Sequence, residues 1–351
     1  MTVAITVLLF SSLSHAEETL QPQEDGKEIL TILNWSDYMD SEVIREFEEM
    51  YNVQVKEVYF ETEDLRTDML LRATGKKIDL VVCNDIAIRA YAKIGWIEPL
   101  AREEIPNLKY IDPRWQKLSP ESQRYGVPYL WGTTGIAYRK DKVTTPVKSW
   151  KALFQPNEEL RQKILMVNDV GDIFGMALKL LGYSANSTDP ENYEEVEKLL
   201  VSQRPFVRNY GYISLDESSV LVTGDVWMAM IYNGDAIALM EYQPSIEYIV
   251  PDEGGNIWVD YLCVMQSSDN KKLAAKFINF LNIPKNAARI AVSAYYASPN
   301  KAAEKLLPED FLNNPTIYPS QEVLAKSEIY LPLPVNITKM KNSILSRILQ
   351  K

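Results

Sequence analysis

The chain has 351 residues and a mass of 40.1 kDa, room for two domains at about 150 residues each. Hydrophobic residues at 46% and charged residues at 24% are ordinary globular usage, and 14 glycines with 19 prolines exclude a collagen-like or low-complexity chain. A formal charge of -11 argues against a nucleic-acid partner and suits cations instead.

Residues 3–10 (VAITVLLF) are apolar but too few to span a membrane, which takes roughly 20. Ser14-His15-Ala16 follows, a small-x-small pattern ahead of Glu17 and Glu18, and residues 1–16 read as a secretory signal. No Lys or Arg precedes the apolar stretch. Cleavage after Ala16 would remove His15, the one histidine, and with it any Ser-His-Asp or Cys-His relay and the commonest zinc ligand. The mature chain is expected free in solution outside the inner membrane.

The run Ile29 to Leu33 predicts a strand covered on both faces. It ends in Asn34-Trp35-Ser36-Asp37-Tyr38. Asp40 and Ser41 then offer caps for a helix carrying Val43, Ile44, Phe47 and Met50 at helical spacing. Val53 to Val55 restarts a strand, Leu65, Met69 and Leu70 suggest a helix, and Ile78 to Cys83 is a third buried strand. Alternation of this kind predicts an α/β layer with parallel strands. Residues 129–138 (YLWGTTGIAY) are strand-like and interrupted by Gly132 and Gly135, a plausible exit from a first domain. Residues 164–169 predict a strand edge, 173–181 a helix ended by Gly182, and 226–232 a buried strand broken by an Asn233-Gly234-Asp235 turn. Pro251 to Asn256 (PDEGGN) is the clearest linker. A strand from Trp258 to Met265 follows, then a helix through Leu273, Phe277 and Leu281 behind an Asp269 cap. Cys83 and Cys263 each sit in an apolar run, either as buried free thiols or as a disulfide.

In open α/β sheets, ligands bind beyond the carboxyl ends of the strands. Those ends here carry Trp35, Ser36, Asp37 and Tyr38; Asn84 and Asp85; Asp169 and Asp172; Tyr232 and Asp235; and Trp258 with Asp260. Aromatics alternate with carboxylates while Lys and Arg are scarce, a pattern that suits an organic cation. Carboxylates accept hydrogen bonds from ammonium groups, and ring faces hold methylene chains and attract the charge. Ordinary readings stand beside these: Trp35 and Trp258 as core, Asp37 as a helix cap, Asp172 as a first-turn helix charge, Asp235 as a turn residue. Asp260 is different. It lies between Val259 and Tyr261 in an apolar strand, where a carboxylate without a partner is costly.

The chain resembles the periplasmic polyamine-binding proteins, the spermidine- and putrescine-binding components of ABC importers. The resemblance rests on NWSDY (34–38), IDLVV (78–82), VPYLWGTTGIAY (127–138), DVGDIF (169–174), YNGD (232–235), WVD (258–260), YASPNKAA (296–303) and NPTIYP (314–319), in order from about Ile29 to the carboxyl terminus. It implies a class II periplasmic binding protein: two α/β lobes joined by two crossovers, near 135–137 and 254–257, with ligand in the hinge cleft. Residues 28–135 plus 258–304 would form the first lobe, and 136–256 plus 308–351 the second. By the same resemblance Trp35, Tyr38, Trp258 and Tyr296 would wall the methylene chain, and Asp172, Asp260 and Asp169 would bind amines. Tyr232 stands where the family usually has Trp, Asp172 where it usually has Glu, and Cys83-Asn84-Asp85-Ile86 replaces the usual short polar stretch. Asp235 with Ser36 and Asp37 looks more like the putrescine type, Trp258 more like the spermidine type.

The implied function is capture of a linear polyamine and delivery to an inner-membrane ABC permease. The same fold could instead report polyamine to a membrane receptor, which neighbouring genes would distinguish. An enzyme is a poor fit, since the sequence shows no metal-ligand cluster, nucleophile elbow or phosphate-cradling loop. No cofactor is expected.

Overall fold

The computed structural model describes residues 26–72 and 77–350. The expected signal at 1–16, with His15, lies outside them. Among the described residues nine strands form one sheet: β1 (Glu28–Asn34), β2 (Val53–Tyr59), β3 (Leu80–Asn84), β4 (Gly126–Arg139), β5 (Ile164–Met166), β6 (Val207–Tyr210), β7 (Met228–Tyr232), β8 (Ile246–Ile249) and β9 (Asn256–Val264). Their order is β2-β1-β3-β9-β4-β7-β5-β6, with β8 also on β4. Strand β1 runs parallel to β2 and β3, and β5 runs parallel to β6 and β7. The long antiparallel pair β4 and β9 joins these two parallel halves. The helices that bear on the site are α1 (Ser41–Tyr51), α2 (Glu63–Arg72), α3 (Asp85–Lys93), α4 (Val170–Leu180), α5 (Asn233–Tyr242), α6 (Lys271–Leu281) and α7 (Val335–Leu349).

Period-two alternation of side chains sends each strand into a core on either face. In the first half, Leu30, Ile32, Leu80 and Val82 join one core with Phe47 and Phe277, while Leu33, Val81 and Cys83 join another with Trp115 and Trp131. In the second half, Ile136, Met166, Met228 and Met230 face the core of Trp150, Phe174 and Tyr193. Ala137, Leu165, Ala229 and Ile231 face the core of Leu221 and Leu239. Each half is thus a sheet covered on both sides, the architecture expected from the buried strands.

Several local expectations change. Strand β4 is continuous through Gly132 and Gly135, because all fourteen residues are buried and β7, β8 and β9 take up its hydrogen bonds. The Asn233-Gly234-Asp235 stretch is the first turn of α5 rather than a loop; the Asn233 side chain accepts the Thr133 N–H at 2.9 Å. Asn270, not Asp269, precedes α6, and Asp269 pairs with Lys77. Asp40 caps α1 as expected, accepting the Val43 N–H at 2.9 Å, and Asp37 takes no part in the cap. Cys83 and Cys263 are fully buried free thiols with their sulfurs 3.6 Å apart. Within 308–329, expected with the second lobe, the apolar side chains of Ile317, Tyr318, Leu324 and Ile329 pack against the first half, with the Tyr318 ring 6.0 Å from the Trp131 indole, while Glu328 also bonds Ser184, Ala185 and Asn186 of the second half. Only from Tyr330 onward do side chains enter the second-half core, which α7 completes with Ile337, Ile344, Leu345 and Ile348.

A strap at residues 326–330 holds the junction. Glu328 N–H donates to Gly255 O at 3.0 Å and Ile257 N–H donates back to Glu328 O at 2.8 Å. Lys179 of α4 donates to Lys326 O at 2.8 Å and Glu328 Oε1 at 3.0 Å. Gly254 lies under the strap at φ +85°, where a Cβ would stand 2.2 Å from Lys326 O, so only glycine fits.

Candidate ligand-binding site

Where β1, β3, β5 and β7 end, side chains from both halves converge over β4 and β9. On the first-half side, Tyr38 O–H donates to Asp260 Oδ2 at 3.0 Å. Tyr129 of β4 fixes that tyrosine by donating from its hydroxyl to Tyr38 O at 2.7 Å. Asp260 sits opposite Asn84 in the β3–β9 register. Trp35, directly after β1, packs on Phe60 with ring centroids 4.4 Å apart and reaches Tyr212 of the second half at 6.4 Å.

On the other side, Asp169 caps α4 by accepting the Asp172 N–H at 2.8 Å. Asp172 Oδ1 accepts from Tyr330 O–H at 2.8 Å, Thr134 O–H at 3.1 Å and Asn256 Nδ2–H at 3.2 Å. Tyr330 can approach because α4 carries Gly175: a Cβ there would lie 2.6 Å from the tyrosine oxygen. Asp235 Oδ1 accepts from Tyr296 O–H at 2.7 Å. Edge-to-face rings then link the halves, Tyr232 to Trp258 at 6.1 Å, Trp258 to Tyr296 at 4.8 Å, Tyr296 to Tyr38 at 5.7 Å and Tyr38 to Tyr129 at 5.6 Å.

The electrostatics are unusual. Asp172 and Asp260 are 2% and 8% exposed, and among the described residues neither forms an ion pair. Burial, reinforced by the Asp169 charge, pushes the Asp172 carboxyl up to about 7, against the pull of the Tyr330 and Thr134 hydroxyls. Burial and the nearby Glu63 charge push Asp260 up to about 7, while Tyr38 and Arg66 pull it down. Burial raises Asp235 to about 6 and also raises Asp169. Burial thus favours the neutral form of each of these carboxyls.

The family profile described as bacterial extracellular solute-binding protein matches residues 42–319. The chain belongs to that family. This solute-binding protein is 31% identical to the spermidine/putrescine-binding periplasmic protein of Escherichia coli over 306 residues, covering 87% of each chain. It is 28% identical to the putrescine-binding periplasmic protein SpuD of Pseudomonas aeruginosa, covering 89% of each. Its fold matches a putative spermidine/putrescine ABC transporter from Listeria monocytogenes with a TM-score of 0.83 and 31% identity, over 92% of this chain and 99% of that one. Among its described residues no helix is long and apolar enough to cross a membrane.

Of the residues singled out from the sequence, the solute-binding fold brings together Trp35, Tyr38, Asp169, Asp172, Tyr232, Asp235, Trp258, Asp260 and Tyr296. Asn84 stands at the edge: its Oδ1 caps α3 through the Ala87 N–H and its Nδ2 donates to Glu63 at 3.3 Å. Asp85 is engaged elsewhere, paired with Arg89 at 2.7 Å and accepting from Ser119 at 2.5 Å. Ser36 and Asp37 are exposed and bond each other at 3.1 Å, because the left-handed backbone at Asp37 (φ +54°) turns them outward. Sequence reasoning missed Tyr330, Tyr212, Thr134, Asn256 and Glu63. Thr134 and Asn256 had a usable signal, since both are polar residues in otherwise apolar strands.

Proposed function

We propose that this protein captures a linear polyamine of the spermidine or putrescine class in the periplasm and delivers it to an inner-membrane ABC permease. One observation carries the reading: among the described residues, Asp172, Asp235 and Asp260 take hydrogen bonds from neutral hydroxyl and amide groups and form no ion pair, beside a continuous series of aromatic rings. Protonated amines complete the carboxylates with charge-assisted hydrogen bonds, while the rings cover the methylenes and add cation–π attraction of about 2 kcal/mol where water is excluded. The printed names of the relatives, spermidine/putrescine-binding and putrescine-binding periplasmic proteins, support the same ligand class. The lobes that enclose the ligand are 28–135 plus 258–304, and 136–256 plus the chain from Tyr330. The packing of Ile317 supports assigning 308–329 to the first lobe.

Thermal unfolding against a panel of diamines, triamines and amino acids tests the proposal. A ligand at a hundredfold excess over its Kd stabilises the folded state by about 2.7 kcal/mol. Polyamines are expected to raise the midpoint and amino acids to leave it alone. A panel in which no polyamine shifts the midpoint sinks the assignment.

A further inference from the structure

The interior stripe of α7 contains one charge. Ile337, Ile344, Leu345 and Ile348 enter the second-half core, and Lys341 lies among them at helical spacing, 9% exposed. Among the described residues its ammonium forms no ion pair; it stands 5.6 Å from the centroid of the Phe174 ring, two residues beyond Asp172 on α4. A lysine buried in this way is costly unless its charge is used. Here that charge acts on Asp169 and Asp172, which oppose the downward pull of burial on the lysine. The other end of the slot has a matching arrangement. Arg66, 1% exposed, donates to Glu63 Oε1 at 2.9 Å, and both act on Asp260.

We propose that Lys341 is a resident counter-cation that offsets Asp169 from behind, leaving that end of the slot with one carboxylate, Asp172, for the ligand. Lys341 is a specificity-determining residue that the ligand does not touch. Arg66 offsets Glu63 at the far end in the same sense. Three carboxylates then remain uncompensated, Asp172, Asp235 and Asp260, and three ammonium groups balance them. A diamine leaves one carboxyl to be satisfied by a proton, and a tetraamine brings a fourth charge without a partner. This count rests on the polyamine reading of the slot.

Lys341→Met removes the charge and keeps the length and apolar stem, and Lys341→Arg keeps the charge. Calorimetric titration of each variant with 1,4-diaminobutane, spermidine and spermine reads the consequence. The methionine variant is expected to raise the affinity for spermine relative to spermidine about tenfold, the effect of one uncompensated carboxylate. The arginine variant is expected to keep the wild-type order. A folded methionine variant with the wild-type ratio of spermine to spermidine affinity overturns the proposal. Carbon-13 carboxyl titration of Asp169 and Asp172 in the ligand-free proteins provides a second readout, which amine binding does not enter. The charges that act on Lys341 are Asp169 and Asp172 from α4, and Glu63 of α2 acts on Asp169 from the other side. The Asp169–Asp172 pair should titrate at higher pH in the methionine variant and at the wild-type pH in the arginine variant. Unchanged midpoints in the methionine variant also overturn it. If the wild type binds no amine, the polyamine reading fails, and the carboxyl titration still decides whether Lys341 is the counter-cation.

Discussion

Asp260→Asn keeps the shape of a buried side chain and removes its charge. Folding raises the Asp260 carboxyl from 3.8 to about 7, mainly by burial. A group raised in this way stabilises the fold below its unfolded pKa and loses that contribution as pH climbs through the folded one. At 1.36 kcal/mol per unit, the loss is about 4 kcal/mol in full, of which about 3 kcal/mol falls between about pH 5 and pH 8. Asparagine does not titrate, and its Oδ1 can still accept from Tyr38. Urea unfolding of ligand-free wild type and variant at both pH values measures the difference. The variant should equal or exceed wild type in stability at pH 8 and lose far less between the two conditions. Its polyamine affinity should fall by about 2–5 kcal/mol, since the ammonium then faces a neutral amide. Equal pH slopes for the two proteins would refute the claim that this carboxyl is held against ionisation.

Three other outcomes follow from the same geometry. Because Asp172 and Asp260 titrate near 7 and an ammonium lowers both, polyamine binding at pH 7 should release protons and strengthen as pH rises through that range; titration enthalpies that do not vary with buffer ionisation heat would contradict this. Gly175→Ala places a Cβ 2.6 Å from the Tyr330 oxygen and should cost about 1–3 kcal/mol by separating that hydroxyl from Asp172. Helix propensity alone favours alanine by about 1 kcal/mol, so a more stable variant in denaturant melts rejects the clash. Trp258→Ala removes the ring between Tyr232 and Tyr296 and should weaken polyamine binding by about 2 kcal/mol, with Trp258→Phe recovering part of it; calorimetry showing wild-type affinity for the alanine variant removes the indole from the wall.

The strands were legible because their side chains are buried on both faces, so apolar runs such as Leu80 to Cys83 announce themselves without long-range information. The candidate cluster was legible wherever a motif sat at a strand end, as with Trp35, Tyr38, Asp172 and Asp260. Asp260 was the clearest case, a carboxylate in an apolar strand whose partner, Tyr38, lies 222 positions away. What escaped came from elements with no local mark of their role. Tyr330 arrives on an irregular strap, and its target shows only once α4 presents Gly175 beside it. Glu63 and Lys341 sit on helices rich in charged residues, where a charge at one position looks like any solvated residue. Ser36, Asp37 and Asp85 stand apart from the cluster for the converse reason. Their polar character is consumed locally, by an outward turn in one case and by Arg89 and Ser119 in the other.

Strand β4 crosses between the halves without a break, every residue buried and its edges shared among β7, β8 and β9. A ribbon paired with β9 up to Thr134 and with β7 and β8 beyond it leaves no unpaired stretch at the crossing. Any swing of one half against the other must be taken up as a little torsion at many peptide units, as in a torsion bar rather than a pin joint. Stiffness of the crossover, and with it the ease of admitting a solute, is then a property of the whole paired ribbon, beyond the reach of any single loop substitution.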